Sequence, residues 1–155
     1  MRLTYLALAF FLLLTACASR TVPTQMFYSS KQCREQNASI TVVNNTTDLS
    51  RLSGLSNAIG SNDQQFDLFK DFDFEHYLAV VVAAGKQRSN GYNIVLSSSE
   101  STVKGKTVLL PVEFVIPDPS KRSTYQLTTP CMVIGVKKSN YSKIRAGNLE
   151  IDVNE

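Results

Sequence analysis

The chain has 155 residues, with 16 Lys and Arg against 13 Asp and Glu, a formal net charge of +3, and 43 % hydrophobic residues. That length holds one domain with a core of its own, and the apolar share is too high for a disordered chain. A charge balance so near neutrality gives no electrostatic footprint for nucleic acid.

Arg2 and the α-amino group make a short positive start, and residues 3–14 are almost unbroken Leu, Ala and Phe. Such a run falls short of the ~20 residues that span hydrocarbon as a helix, so it is expected to be a signal sequence. Leu14-Thr15-Ala16-Cys17 has the form of a bacterial lipobox, with small residues before a Cys whose thiol can take a diacylglyceryl group. The alternative is an ordinary secretory signal with a chance Cys. The expected division is a lipoprotein signal peptide over 1–16, a lipid-anchored N-terminus and flexible tether over 17–36, and a single domain over 37–155. Two or more acyl chains, palmitate-like in length, anchor stably where one is marginal. The expected place is therefore the bacterial envelope. Ala18 follows the Cys rather than Asp, which points to the outer membrane, facing the periplasm. Removing Arg2 from the 16 basic groups leaves 15 against 13 acidic ones, a mature charge of +2.

With Cys17 acylated, Cys33 and Cys131 remain as an even pair in an oxidising compartment. A disulfide between them would close a loop near 100 residues, worth up to ~4.7 kcal/mol in the chain-entropy account. Two buried thiols or a reactive Cys are the alternatives.

Residues 18–30 are polar with one Pro and suggest a spacer. Residues 37–44 hold a short β-branched run, the expected first strand. Next comes helical spacing: Thr47 as N-cap, Asp48 in the first turn, then Leu49, Leu52, Leu55 and Ile59, closed by Gly60. Phe66, Phe69, Phe72 and Phe74 then pass from helical spacing to alternation. Residues 77–84 are continuously apolar, as in a strand buried on both faces. A half-exposed strand starts at Tyr92, residues 108–116 alternate around Pro111, and residues 125–137 supply a last strand. Turns and short loops separate these strands, which predicts antiparallel neighbours. The expected fold is α+β: an antiparallel meander of about five strands with one packed amphipathic helix.

Candidate chemistry is sparse. Gly85-Lys86 invites comparison with a phosphate loop, but Gln87 stands where a hydroxyl is needed, the upstream Gly is absent, and a strand follows instead of a helix. No nucleotide is expected. Asn90-Gly91 is turn chemistry between paired strands, with residues that tolerate positive φ. The acids Asp63, Asp67, Asp71, Asp73 and Glu75 could offer oxygen ligands, but no Gly lies between Gly60 and Gly85 to make a calcium loop. Solvated faces and caps account for them, and no metal or other cofactor is expected. His76 is the only histidine, and no acidic orienter is evident beyond Glu75, so no catalytic residue is assigned.

The order VVVAAGKQRSNGYNIVL, a long alternating strand, and Thr128-Thr129-Pro130-Cys131-Met132-Val133-Ile134 resembles the C-terminal domain of PrcB-like protease-complex stabilising proteins, over about residues 72–138. Gly85, Gly91, Tyr92 and Pro130 carry the likeness. The resemblance implies an envelope protein, often lipid-anchored, that stabilises an exported protease complex without catalysing a reaction. The expected partners are the membrane, through the lipid, and a protein, with Lys86, Gln87, Arg88, Ser89, Asn90, Gly91 and Tyr92 as the contact segment. The competing class is a lipid-anchored protease inhibitor, with the loop around Pro117 and Pro119 as bait, or an envelope hydrolase.

Overall fold

The computed structural model describes residues 19–33, 35–45, 69, 71–120 and 124–153. Among the described residues there are twelve strands and no helix, with about 61 % of them in strand. The α+β expectation is corrected accordingly, and the helix expected over 47–60 lies outside the described residues. The main sheet has eight strands, not five, in the order β12-β11-β7-β6-β1-β10-β3-β2. That order is no meander, and β11 (Lys143–Ala146) runs parallel to β7 (Thr107–Leu110). Its two ends approach one another, since β12 (Leu149–Asp152) packs against β2 (Ala38–Val43), so the sheet is nearly closed into a barrel.

β1 spans Arg20–Ser30, a segment expected to be tether. Its Thr and Ser residues hide a period of two: Val22 and Thr24 point inward and Pro23 outward. The strand also changes partner along its length. Arg20 to Pro23 pair with β6 (Glu100–Lys104), and Thr24 to Ser30 pair with β10 (Cys131–Lys137). Pro23, which has no N–H to give to a ladder, sits at the change. At the crossing the Thr24 N–H donates to the Ser99 carbonyl at 2.8 Å, and the buried Thr24 and Ser101 hydroxyls share a hydrogen bond of 2.6 Å. Polar residues are thus tolerated inside because each finds a partner.

β3 (Tyr77–Ala84) and β10 lie at the centre of one half of the sheet and are covered on both faces. Leu78, Val80, Val82, Met132, Ile134 and Val136 point into the barrel, where they meet Val108, Ile144 and Ile94. Each such side chain contributes about 1.5–3 kcal/mol on burial. Ala79, Val81, Ala83, Cys131 and Val133 face outward and are covered by Phe69 and Phe72, with Phe27 and Phe74 packed alongside. Phe27 sits at a bulge between Met26 and Tyr28, and its ring lies over Gly135, where an added Cβ would come within 2.4 Å of it. Phe72 stacks obliquely on Phe27 at 4.7 Å and on Phe74 at 4.4 Å. A disulfide joins Cys33 to Cys131 across 98 residues, with Cα atoms 6.0 Å apart. It ties the chain just beyond β1 to the start of β10.

Replacing Thr24 by Val leaves the Ser101 hydroxyl buried without its partner, which costs about 1–3 kcal/mol. Urea unfolding should show the midpoint fall with the slope unchanged, and part of the loss should return when Ser101→Ala is added.

Candidate functional site

The barrel has two distinct ends. β1, β3, β7 and β11 start at one, and β2, β10 and β12 start at the other. At this second end two ribbons continue beyond the barrel. The β3–β10 pairing resumes as β4 (Gln87–Ser89) with β9 (Tyr125–Thr128), and the β6–β7 hairpin resumes as β5 (Asn93–Leu96) with β8 (Val112–Val115). Pro111 is the interruption between β7 and β8, and its carbonyl accepts from the N–H and Oγ–H of Ser97. The alternation expected across 108–116 is therefore two strands broken at a proline.

Gly85-Lys86 is not a hairpin tip, because β3 and β5 do not pair. It is the joint between β3 and β4. Gly85 has φ 70°, and a Cβ there would lie 2.7 Å from the Ala38 nitrogen and 2.8 Å from the Asn37 carbonyl carbon. Glycine is needed for both reasons, left-handed backbone and close approach to β2. The Lys86 N–H fixes the joint by donating to the Gln36 carbonyl at 3.0 Å. Gly91 does not use positive φ as the sequence suggested; its Cβ would meet Pro117 Cβ at 2.6 Å, so space is what it supplies.

The seven residues expected to contact a partner are held by their surroundings. Gln87 Nε2 donates to the Ala84 carbonyl at 2.8 Å, Thr128 Oγ1 donates to the Ser89 carbonyl at 3.1 Å, and Lys31 Nζ donates to the Asn90 carbonyl at 3.0 Å. Lys86 and Arg88 are exposed, while Gln87, Ser89, Asn90, Gly91 and Tyr92 are half-buried. Gln87 and Tyr92 line a half-open apolar pocket of about 140 Å³ with Ala38, Phe114, Val115 and Leu149. Ligand cavities commonly need ~300 Å³ or more, so this one suits a single apolar side chain better than a small-molecule substrate.

Sequence reasoning missed the apolar rim. Ile116 and Tyr125 are 72 % and 76 % exposed, and Leu127, Val95 and Val115 are also open to solvent. Ile116 precedes the proline that packs on Gly91, and Tyr125 pairs with Ser89, so both flank residues 89–91. The signal was present in the sequence as apolar residues beside Pro117 and Pro119, but nothing marked them as outward-facing.

Leu149 is carried on the β11–β12 turn, which charge holds. Arg145 Nε donates to Glu150 Oε2 at 2.8 Å, and Lys143 Nζ donates to Oε1 at 3.1 Å. The bonds from Arg145 and then Lys143 hold the Glu150 carboxyl below its ordinary range, and the bond to Glu150 with the nearby charge of Asp152 holds the Lys143 ammonium above its own.

At the opposite end His76 has an orienter that the sequence did not reveal: its Nδ1 lies 2.8 Å from Asp73 Oδ2. Asp73 Oδ1 also accepts from the N–H groups of Glu75 and His76, an N-cap-like turn. Desolvation opposes ionisation of Asp73, but these bonds outweigh it and lower the carboxyl's pKa. The pair caps the approach to β3. Among the described residues no three His, Cys, Asp or Glu gather to hold a metal; Asp63 and Asp67 lie outside them, as does Cys17.

Residues 78–137 match the family model described as PrcB C-terminal. No curated protein and no solved structure matches the chain. The matched segment contains most of the pocket wall, from Ala84 to Ile116, and both strands of each distal ribbon.

Glu150 contributes stability that is present above the carboxylate's unfolded range and lost as pH falls through its lowered folded value. Thermal unfolding across the acid range should therefore show a smaller acid-induced drop in Glu150→Gln than in the parent. For Gly85→Ala, positive φ and the contact with β2 together should cost about 1–3 kcal/mol in urea unfolding.

Proposed function

We propose, on the premise that residues 78–137 are a PrcB C-terminal domain, that this chain is an envelope lipoprotein that stabilises an exported protease complex by binding one of its proteins. Cys17 carries the lipid, and the distal end of the barrel carries the binding surface. The family match supports association with a protease complex. The observation that carries the rest is the small apolar pocket with exposed Ile116 and Tyr125 beside it. Protein interfaces concentrate their energy in a few aromatic or aliphatic anchors seated in small, water-free pockets, with polar neighbours around them. Here Tyr92 and Phe114 wall a cavity sized for one anchor, and the exposed edge of the β4–β9 ribbon offers backbone groups beside it. Lys86 and Arg88 project from the same ribbon and would set orientation more than affinity.

The test is a crosslinking pull-down from envelope membranes with Ile116→Asp and Tyr125→Ala. Both side chains are largely exposed, so thermal stability should hold while partner recovery collapses. A lost anchor is worth ~2 kcal/mol or more, about 30-fold in affinity. Deleting the gene should also lower the abundance of the partner. Unchanged recovery with both variants would remove the binding surface from this end, and a mature N-terminus with unmodified Cys17 in mass spectrometry would remove the anchor.

A further inference from the structure

Among the described residues, five cations without a carboxylate partner gather at the end of the barrel opposite the pocket. Arg20 begins β1, Lys104 ends β6, Lys106 lies in the β6–β7 turn, Lys137 ends β10, and Lys138 follows it. The register brings these together, because Arg20 pairs with Val103 next to Lys104, and Lys137 pairs with Tyr77 at the same end of the sheet. Arg20 donates to Ser139 Oγ and Lys138 to the Phe74 carbonyl, so neither is neutralised. All five are exposed, and among the described residues none has a carboxylate partner. Of the described carboxylates at this end, Asp73 holds His76 and Asp152 lies 3.8 Å from Lys143, which leaves Asp71 and Glu75 against the five cations. Among the described residues of the distal end, Lys31, Lys86 and Arg88 are accompanied by Glu35, Glu100, Glu113 and Asp118.

We infer that this basic end is a docking surface for anionic lipid headgroups. Its geometry rests on the reading of Cys17 as the acylated residue. Cys17 stands three residues before Arg20, and three residues of extended chain reach only about 10 Å. Because β1 starts at Arg20 rather than after a long tether, the collar is held within about one Debye length of the bilayer surface. At that range each Lys or Arg is attracted by an anionic leaflet, and the attraction sums over the collar. The same contact turns the barrel axis away from the membrane, so that the pocket and the β4–β9 ribbon face outward.

The test uses the whole mature chain without its lipid, exported behind an ordinary secretory leader so that it begins at Ala18, in flotation with vesicles. It should float with phosphatidylcholine vesicles doped with phosphatidylglycerol, not with pure phosphatidylcholine, and should be released by raised salt. Lys104→Gln with Lys137→Gln, at two exposed side chains free of hydrogen bonds, should weaken binding about 30-fold, while Lys86→Gln with Arg88→Gln at the far end should leave it nearly unchanged. Equal flotation on both vesicle types, no effect of the Lys104 and Lys137 substitutions, or tighter binding to a DNA oligonucleotide than to anionic vesicles would overturn the inference. Salt-sensitive binding with Cys17 found unmodified in cells would uphold the surface and reject the anchor; an acylated Cys17 without such binding would do the reverse.

Discussion

The pairing of β1 with two different neighbours is the constraint on which the rest of the structure depends. Its first residues extend the half of the sheet made by β6, β7, β11 and β12, and its last residues extend the half made by β10, β3 and β2. Without that strand the two halves would each present an open edge and a half-covered apolar face, a poor arrangement in water. With it, Val80, Ile134 and Val136 from one half meet Val108 and Ile144 from the other in one interior. The disulfide lies just past the end of the same strand, and Thr129 Oγ1 donates to the Cys33 carbonyl beside it, so the joint is held covalently and by hydrogen bonds.

Closure of the sheet also sorts the molecule into two ends with different chemistry. Five unpaired cations surround the point where the chain enters β1, and an apolar pocket with an exposed rim lies where the ribbons leave the barrel. A strand of 11 residues separates them, roughly 36 Å at extended rise. A protein anchored at one end and binding at the other needs that separation, because a surface pressed against lipid is not available to a partner. The PrcB C-terminal match covers most of the pocket wall and not β1, so the matched segment supplies most of the proposed binding surface while the N-terminal strand completes the barrel that holds it.

What was legible in the sequence followed from strong local patterns. The unbroken apolar run of β3 announced burial on both faces, and the strand is covered on both. The even count of Cys33 and Cys131 suggested a bridge, with free thiols left as the alternative, and the structure forms it. Arg20–Ser30 was not legible as a strand, because its inward Thr24 is satisfied by Ser101, 77 residues away, and its Pro23 is harmless only where the ladder changes sides. Nor could local pattern show that β11 would lie parallel to β7, since non-local pairing carries no local signature. In the site, Gly91 was recognised as a special position for the wrong reason, and no local pattern gave the reason for Gly85. Another segment passes within contact distance of each, and Gly85 also needs its positive φ, which only the fold can reveal. Ile116 and Tyr125 escaped notice because a sequence does not say which apolar residues a barrel leaves outside.

Native-state hydrogen exchange along residues 20–30 of the mature chain tests the account most directly. If β1 is the strand that joins the two halves, those amides of residues 24–30 that face β10 open only with the whole barrel and exchange as slowly as those of Val80 to Val82. Exchange in this segment at the rate of an unstructured peptide, with β3 and β10 still protected, would return it to a tether and contradict both the nearly closed barrel and the basic end held near the membrane.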